Sequence, residues 1–134
     1  MDKKWHLKET QNVNQMLRIR KDKNPLDTLQ DYKHLLIVKH EYHVADDIMF
    51  PDPACLAFFT TFEQSHLTTV ASQNKIFLAA VEIKEGLMRF FIYCDDVQKT
   101  MYDCIDFLKT NSLYSCDFQI ATKDKEKIMS ELIS

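Results

Sequence analysis

The spacing of apolar positions divides this chain into a definite order of elements. Residues 5–8 and 15–21 alternate weakly, with Met16, Arg18 and Arg20 opposing Leu17 and Ile19, and a β-hairpin is predicted there. Asn24-Pro25-Leu26-Asp27 interrupts that pattern with turn-forming residues. Residues 34–43 are β-branched, aromatic and long enough to predict a central strand. A loop follows through Asp46, Asp47 and Met49-Phe50-Pro51. Asp52 then stands as an N-cap, with Pro53 at the first helical position, where a missing N–H costs no hydrogen bond. The helix is predicted to reach about Ser72, because Cys55, Phe58, Phe59, Phe62, His66, Leu67 and Val70 recur at three- and four-residue steps.

A helix with one broad apolar face needs a sheet to cover. Residues 75–83 and 87–94 supply two apolar strands, joined by Lys84-Glu85-Gly86 with the only glycine of the chain where a left-handed residue closes the hairpin. The Asp95-Asp96 pair can cap a second helix and complement its dipole, and Val97, Met101, Cys104, Ile105 and Leu108 form its expected buried stripe, with Asn111 as its stop. Tyr114, Cys116, Phe118 and Ile120 alternate with polar residues, predicting a last strand with one core face. A short terminal helix is expected over residues 125–133. From residue 34 the order is βαββαβ, which predicts an α+β domain of the ferredoxin-like, split βαβ type. On this reading residues 1–134 form one domain: an N-terminal hairpin and loop (1–33), the βαββαβ core (34–122) and a C-terminal helix (123–134).

Composition narrows the function. A chain of 134 residues with 46% apolar residues can bury its own core. The start is not followed by an apolar run, so a cytoplasmic protein with no membrane span, whose mature chain begins near Met1, is expected. Cys55, Cys94, Cys104 and Cys116 lie among apolar neighbours without metal-like spacing, which reads as buried free thiols in a reducing compartment. The net charge of −3 is uneven: residues 1–50 carry nine Lys/Arg against eight Asp/Glu, and residues 51–134 carry eight against twelve. The acidity belongs to the second part, which disfavours phosphate-neutralising nucleic-acid binding and suits a basic partner or a plain solvated surface.

The candidate chemistries are few. His40 and His43 are at odd spacing on a strand and point to opposite faces, so they grip one metal only if the strand ends between them, and Asp46 and Asp47 join such a site only through loop folding. His66, on the apolar face of the first helix, reads as a packed and hydrogen-bonded residue. A single glycine excludes phosphate-cradling Gly loops and the Gly-assisted nucleophile turn. No cofactor, metal or catalytic residue is therefore expected. Arg89, Phe91 and Tyr93 share one strand face, the arrangement an RNA-recognition sheet uses; the competing readings are a core strand edge or a surface buried under the N-terminal hairpin. Asp95, Asp96, Asp103 and Asp106 make the second helix the strongest acidic surface, with ordinary capping and solubility as the alternative explanation.

Trp5, Arg18 and Arg20, Met49-Phe50-Pro51, Phe91-Ile92-Tyr93-Cys94-Asp95 and Asp124 together resemble the bacterial domain-of-unknown-function family numbered six-nine-five, over almost the whole chain. The resemblance implies a bacterial source and transfers no catalytic residue. It also implies a link to nuclease control, because related domains are sometimes joined to a module similar to a ribonuclease E inhibitor. Small acidic domains of this kind look like the immunity proteins of toxin systems, an analogy of fold and lifestyle. The expected function is thus a non-catalytic protein-binding domain. The most concrete form is an immunity protein that neutralises a basic toxin or nuclease. Regulation of a housekeeping ribonuclease, RNA binding on the sheet face and an undetected enzyme are the alternatives.

Overall fold

The computed structural model describes residues 4–43 and 50–134. The expected loop at Asp46, Asp47 and Met49 lies outside the described residues. The hairpin strands are β1 (Trp5–Lys8) and β2 (Gln15–Arg20). The turn segment is a short helix, α1 (Pro25–Thr28), where the Asn24 side chain accepts from the N–H groups of Leu26 and Asp27, and a 3-10 turn over Leu29–Asp31 extends it. β3 (His34–Glu41), β4 (Ile76–Lys84), β5 (Leu87–Cys94) and β6 (Asp117–Ala121) complete one antiparallel sheet in the order β1-β2-β4-β5-β3-β6. Its last four positions, β4-β5-β3-β6, are the split βαβ order, and the N-terminal hairpin extends the sheet beyond β4.

The β4–β5 hairpin is fixed by its turn. Glu85 and Gly86 both take positive φ, 47° and 93°, so the two-residue loop has the handedness that matches strand twist. It sets Lys84 opposite Leu87 and, two residues back, Glu82 opposite Arg89. A bulge at Ala79 shifts the register farther along, after Leu78.

One face of the sheet is covered as expected. The first long helix is a continuous rod: α2 (Pro53–Thr61), a π-helical segment (Phe62–Leu67) and α3 (Thr68–Gln73). It starts at Asp52, whose side chain accepts from the Cys55 N–H at 2.9 Å. The second long helix is α4 (Val97–Leu108), capped by Asp96, which accepts from the Lys99 N–H at 3.1 Å. Phe59, Phe62, Phe90, Leu36, Val38 and Cys104 form the centre of this core, and the Phe62 and Phe90 rings meet edge to face at 5.2 Å. Within the π-helical segment the buried Glu63 pairs with Arg18 of β2, whose guanidinium lies 4.9 Å from the Trp5 ring centre.

The other face holds a second core. Leu17, Ile19, Leu35, Ile37, Phe77, Phe91 and Tyr93 lie under Leu29 and under α5 (Lys125–Ile133), whose Met129 is fully buried. The Tyr93 hydroxyl donates to the Pro25 carbonyl at 2.9 Å, and the Lys125 ammonium donates to the carbonyls of Leu29 and Tyr32, tying α5 to the α1 segment. Sequence and structure differ at the end of the sheet. Asn111 does not simply stop α4 but caps a 3-10 turn (Ser112–Tyr114), the last strand starts only at Asp117, and Ile120 is exposed rather than in the core. On α4 it is Thr100, Cys104 and Leu108 that are buried, while Ile105 faces outward at the edge of the expected stripe.

All four cysteines are free, and Cys55, Cys94 and Cys104 are buried. Desolvation pushes the thiols up from an ordinary 9.0, Cys55 and Cys94 to about 11 and Cys104 and Cys116 to about 12. The folded state therefore keeps protons that the unfolded chain loses above pH 9.0, and this part of the stability is complete below that pH and is lost as pH rises toward 12. Urea midpoints should fall across that window, and the fall should be shallower in Cys104→Ala. An equal slope in both proteins would remove the thiols from the explanation.

Candidate functional site

The outward face of α4 is built around Tyr102. Ile105 and Asp106 follow it at three- and four-residue steps and so share its face. Tyr102 is 60% exposed and Ile105 37%, and Leu113, in the turn just beyond the helix, is 80% exposed. The four aspartates expected here have separate roles. Asp96 is the helix cap. Asp95 is engaged elsewhere: it accepts from the Lys33 N–H at 2.9 Å and pairs with Lys75 at 3.2 Å, and these two contacts, the backbone one first, hold its carboxyl below the ordinary 3.8. Asp103 turns toward the long helical rod: its backbone carbonyl accepts from His66, and its Oδ2 is buried without a hydrogen bond, 3.7 Å from the Lys99 ammonium. Asp106 remains on the surface, paired with Lys109 at 3.3 Å. The acidic face is thus narrower than the spacing suggested, and two lysines partly offset it.

The sheet-face candidates require a correction. Arg89, Phe91 and Tyr93 do share a face, but Phe91 and Tyr93 are 0% exposed beneath α5 and the α1 segment. Neither ring can stack on a base, because other side chains already occupy both the space and the contact surface. Of the three, only Arg89 reaches the surface.

Arg89 belongs to a polar corner that periodicity alone did not reveal. The cross-strand row Leu17, Glu82, Arg89, Lys39, Asp117 runs over this face at the end nearest the β4–β5 turn. Glu82 is 4% exposed, yet its carboxylate is fully engaged: Oε1 accepts from Arg89, and Oε2 from the Gln15 side chain at 2.8 Å. The Arg89 guanidinium also sits 4.9 Å from the Phe91 ring centre. A cleft of about 600 Å³ opens above this corner, between the N-terminal hairpin and α5. The signal for the pair was present in the sequence, because a two-residue turn at Glu85-Gly86 places Glu82 directly opposite Arg89.

Two of the histidines, His40 and His66, pack against the interior. His40 is buried against Phe59, with Nδ1 at 2.8 Å from the Ser115 carbonyl, and His43 is exposed beyond the strand. His66 is packed against Phe62 and Phe107 and donates from Nε2 to the Asp103 carbonyl, the packed role its position predicts. Among the described residues no group of three or more His, Cys, Asp or Glu is placed to hold a metal ion, and no helix is long and apolar enough to cross a membrane.

Sheet order, hairpin extension and terminal helix together define an α+β protein of the split βαβ class. The chain belongs to DUF695, a family of unknown function whose model matches residues 4–128. No curated protein and no solved structure matches it.

Removing one member of a buried ion pair leaves the other uncompensated, at about 3–5 kcal/mol, whereas replacing both by apolar residues is often neutral. Arg89→Met should therefore destabilise the fold by about that amount, and Glu82→Leu combined with Arg89→Met should recover most of it. Additive losses in urea denaturation would show that the two side chains are not coupled.

Proposed function

We propose that this chain is a non-catalytic protein-binding domain that docks through the outward face of α4. The supporting observation is the exposed set Tyr102, Ile105 and Leu113 on and beside a helix that also carries Asp96 and Asp106. Interfaces concentrate their energy in aromatic and aliphatic anchors surrounded by a charged rim, and this face has that composition. The rim charge and the acidic second part of the chain suit a basic partner. In its most concrete form the partner is a bacterial toxin, a nuclease among the candidates, and the chain acts as its immunity protein by covering the active site or substrate surface. The family membership is compatible with this reading and assigns no activity of its own. Control of a housekeeping ribonuclease through the same face is the second reading, favoured by the same acidity.

The two readings separate by partner and share a surface. Co-expression with a secreted toxin nuclease encoded beside the gene should restore growth for the immunity reading. Tyr102→Ala should speed dissociation by about thirtyfold, the scale of a 2 kcal/mol anchor. Asp106→Lys should mainly slow association, because rim charges act on encounter rates. Association and dissociation rates from surface-immobilised protein distinguish these effects. Two folded variants with unchanged rates would move the interface away from α4.

A further inference from the structure

A second site follows from the polar corner, independently of the α4 face. We propose that the cleft between α5 and the N-terminal hairpin binds a small organic monocarboxylate with a compact apolar body.

The chemistry of the walls carries this assignment. Arg89 donates from Nε and Nη2 to one oxygen of Glu82, and its Nη1 has no hydrogen-bond partner among the described residues. The Glu82 pairing and the Phe91 ring hold that guanidinium in place, so one planar edge is pre-set for a carboxylate. Lys84 lies on the same strand face two residues from Glu82, exposed at the cleft, and adds a second positive charge. Beside these cations the accessible hydrocarbon of the cleft comes from Ile128 and Leu132 of α5, while Phe91 and Ile37 lie buried beneath the polar floor. Charge at one end and hydrocarbon at the other is the pattern of a site for an amphipathic anion. The volume of about 600 Å³ falls within the usual range for small-molecule sites.

Other residues limit the charge of the ligand. Lys8 keeps its charge but its ammonium is turned to the carbonyls of Ile133 and Ser134, which leaves Arg89 and Lys84 as the cations that face the ligand. Glu9 and Glu131 line the cleft as well, so a phosphate or a dicarboxylate meets like charge that a single carboxylate over Arg89 and Lys84 does not. Glu82 is not available as a base or ligand, because both its oxygens already accept from Arg89 and Gln15. The cleft therefore reads as a recognition site for a monoanion and not as a place for proton transfer.

Benzoate is a suitable probe, with benzamide as its neutral isostere and phthalate as its dianion. In full-length protein, amide NMR signals of Arg89, Phe91, Ile128 and Leu132 should shift saturably with benzoate. Benzamide and phthalate should each bind about tenfold more weakly or worse, the loss of roughly one charge-assisted contact. Because Arg89 variants disturb the fold, the variants used are Lys84→Ala, at an exposed strand end, and Leu132→Trp, which fills the wall. Lys84→Ala should weaken benzoate several-fold, and Leu132→Trp should abolish the shifts while the remaining spectrum stays native. No saturable shift, equal affinity for benzamide, or shifts located away from these four residues would overturn the proposal. These outcomes do not depend on any protein partner, so failure here leaves the α4 reading to its own test.

Discussion

The central strands of this sheet are apolar on both faces, and the rest of the structure answers that constraint. β4 is buried from Ile76 to Ile83, and β5 alternates Phe90 and Ile92 toward one core with Phe91 and Tyr93 toward the other. Helices on one side of such a sheet leave half of its apolar surface in water, at roughly 25 cal/mol for every Å² exposed. The long helical rod and α4 cover the first face. The second is closed by pieces from opposite ends of the chain, the α1 segment and α5, held together by Lys125 on the α1 carbonyls. Closure is incomplete for a geometric reason. A helix of nine residues is roughly 14 Å long, whereas six strands span roughly 24 Å. The sheet corner beyond the reach of α5 must be polar, and there the sequence places Gln15, Glu82, Lys84 and Arg89.

Much of this was legible in the sequence, and the parts that were not have identifiable causes. Strong periodicity marked β3, β4, β5 and the two long helices, and the Asp52-Pro53 and Asp96 caps marked helix starts because capping depends only on local chemistry. The α5 bounds of Lys125–Ile133 agree with the apolar spacing of Ile128, Met129, Leu132 and Ile133. Periodicity does not say which surface an element covers. Arg89, Phe91 and Tyr93 were correctly assigned to one face, yet whether that face is open depends on where α5 docks, which is a tertiary fact. The π-helical segment was equally hidden, since Phe62, His66 and Leu67 fit an ordinary helix as well. Ile120 and Ile105 show the reverse error: strand alternation and helical spacing marked them as core, but one sits on an edge strand and the other at the margin of the α4 stripe.

The candidate sites follow the same logic. Spacing grouped four aspartates on or near α4, but hydrogen bonds divide them: Asp95 fastens the entry to β3, Asp96 caps, Asp103 is half-buried against the rod, and only Asp106 is a free-standing surface acid with its lysine. What distinguishes the α4 face is Tyr102 with Ile105, apolar groups left outside a core that had room for Thr100 instead. Glu82 is the opposite case, a charge kept inside because a cross-strand arginine and an amide donate to both of its oxygens. Its presence defines the chemistry of the cleft.

Closure of the second face by α5 is the claim on which the buried tyrosine, the correction to the RNA reading and the cleft all rest. Met129 is its most direct probe, being fully buried at the centre of the α5 contact. Unfolding of Met129→Ala in urea, followed by near-ultraviolet circular dichroism, should show a loss of about 2–5 kcal/mol relative to the parent protein, the cost of truncating a large core side chain. A change within about 0.5 kcal/mol, as for a surface position, would mean that α5 does not cover the sheet and that Phe91 and Tyr93 are open to solvent after all.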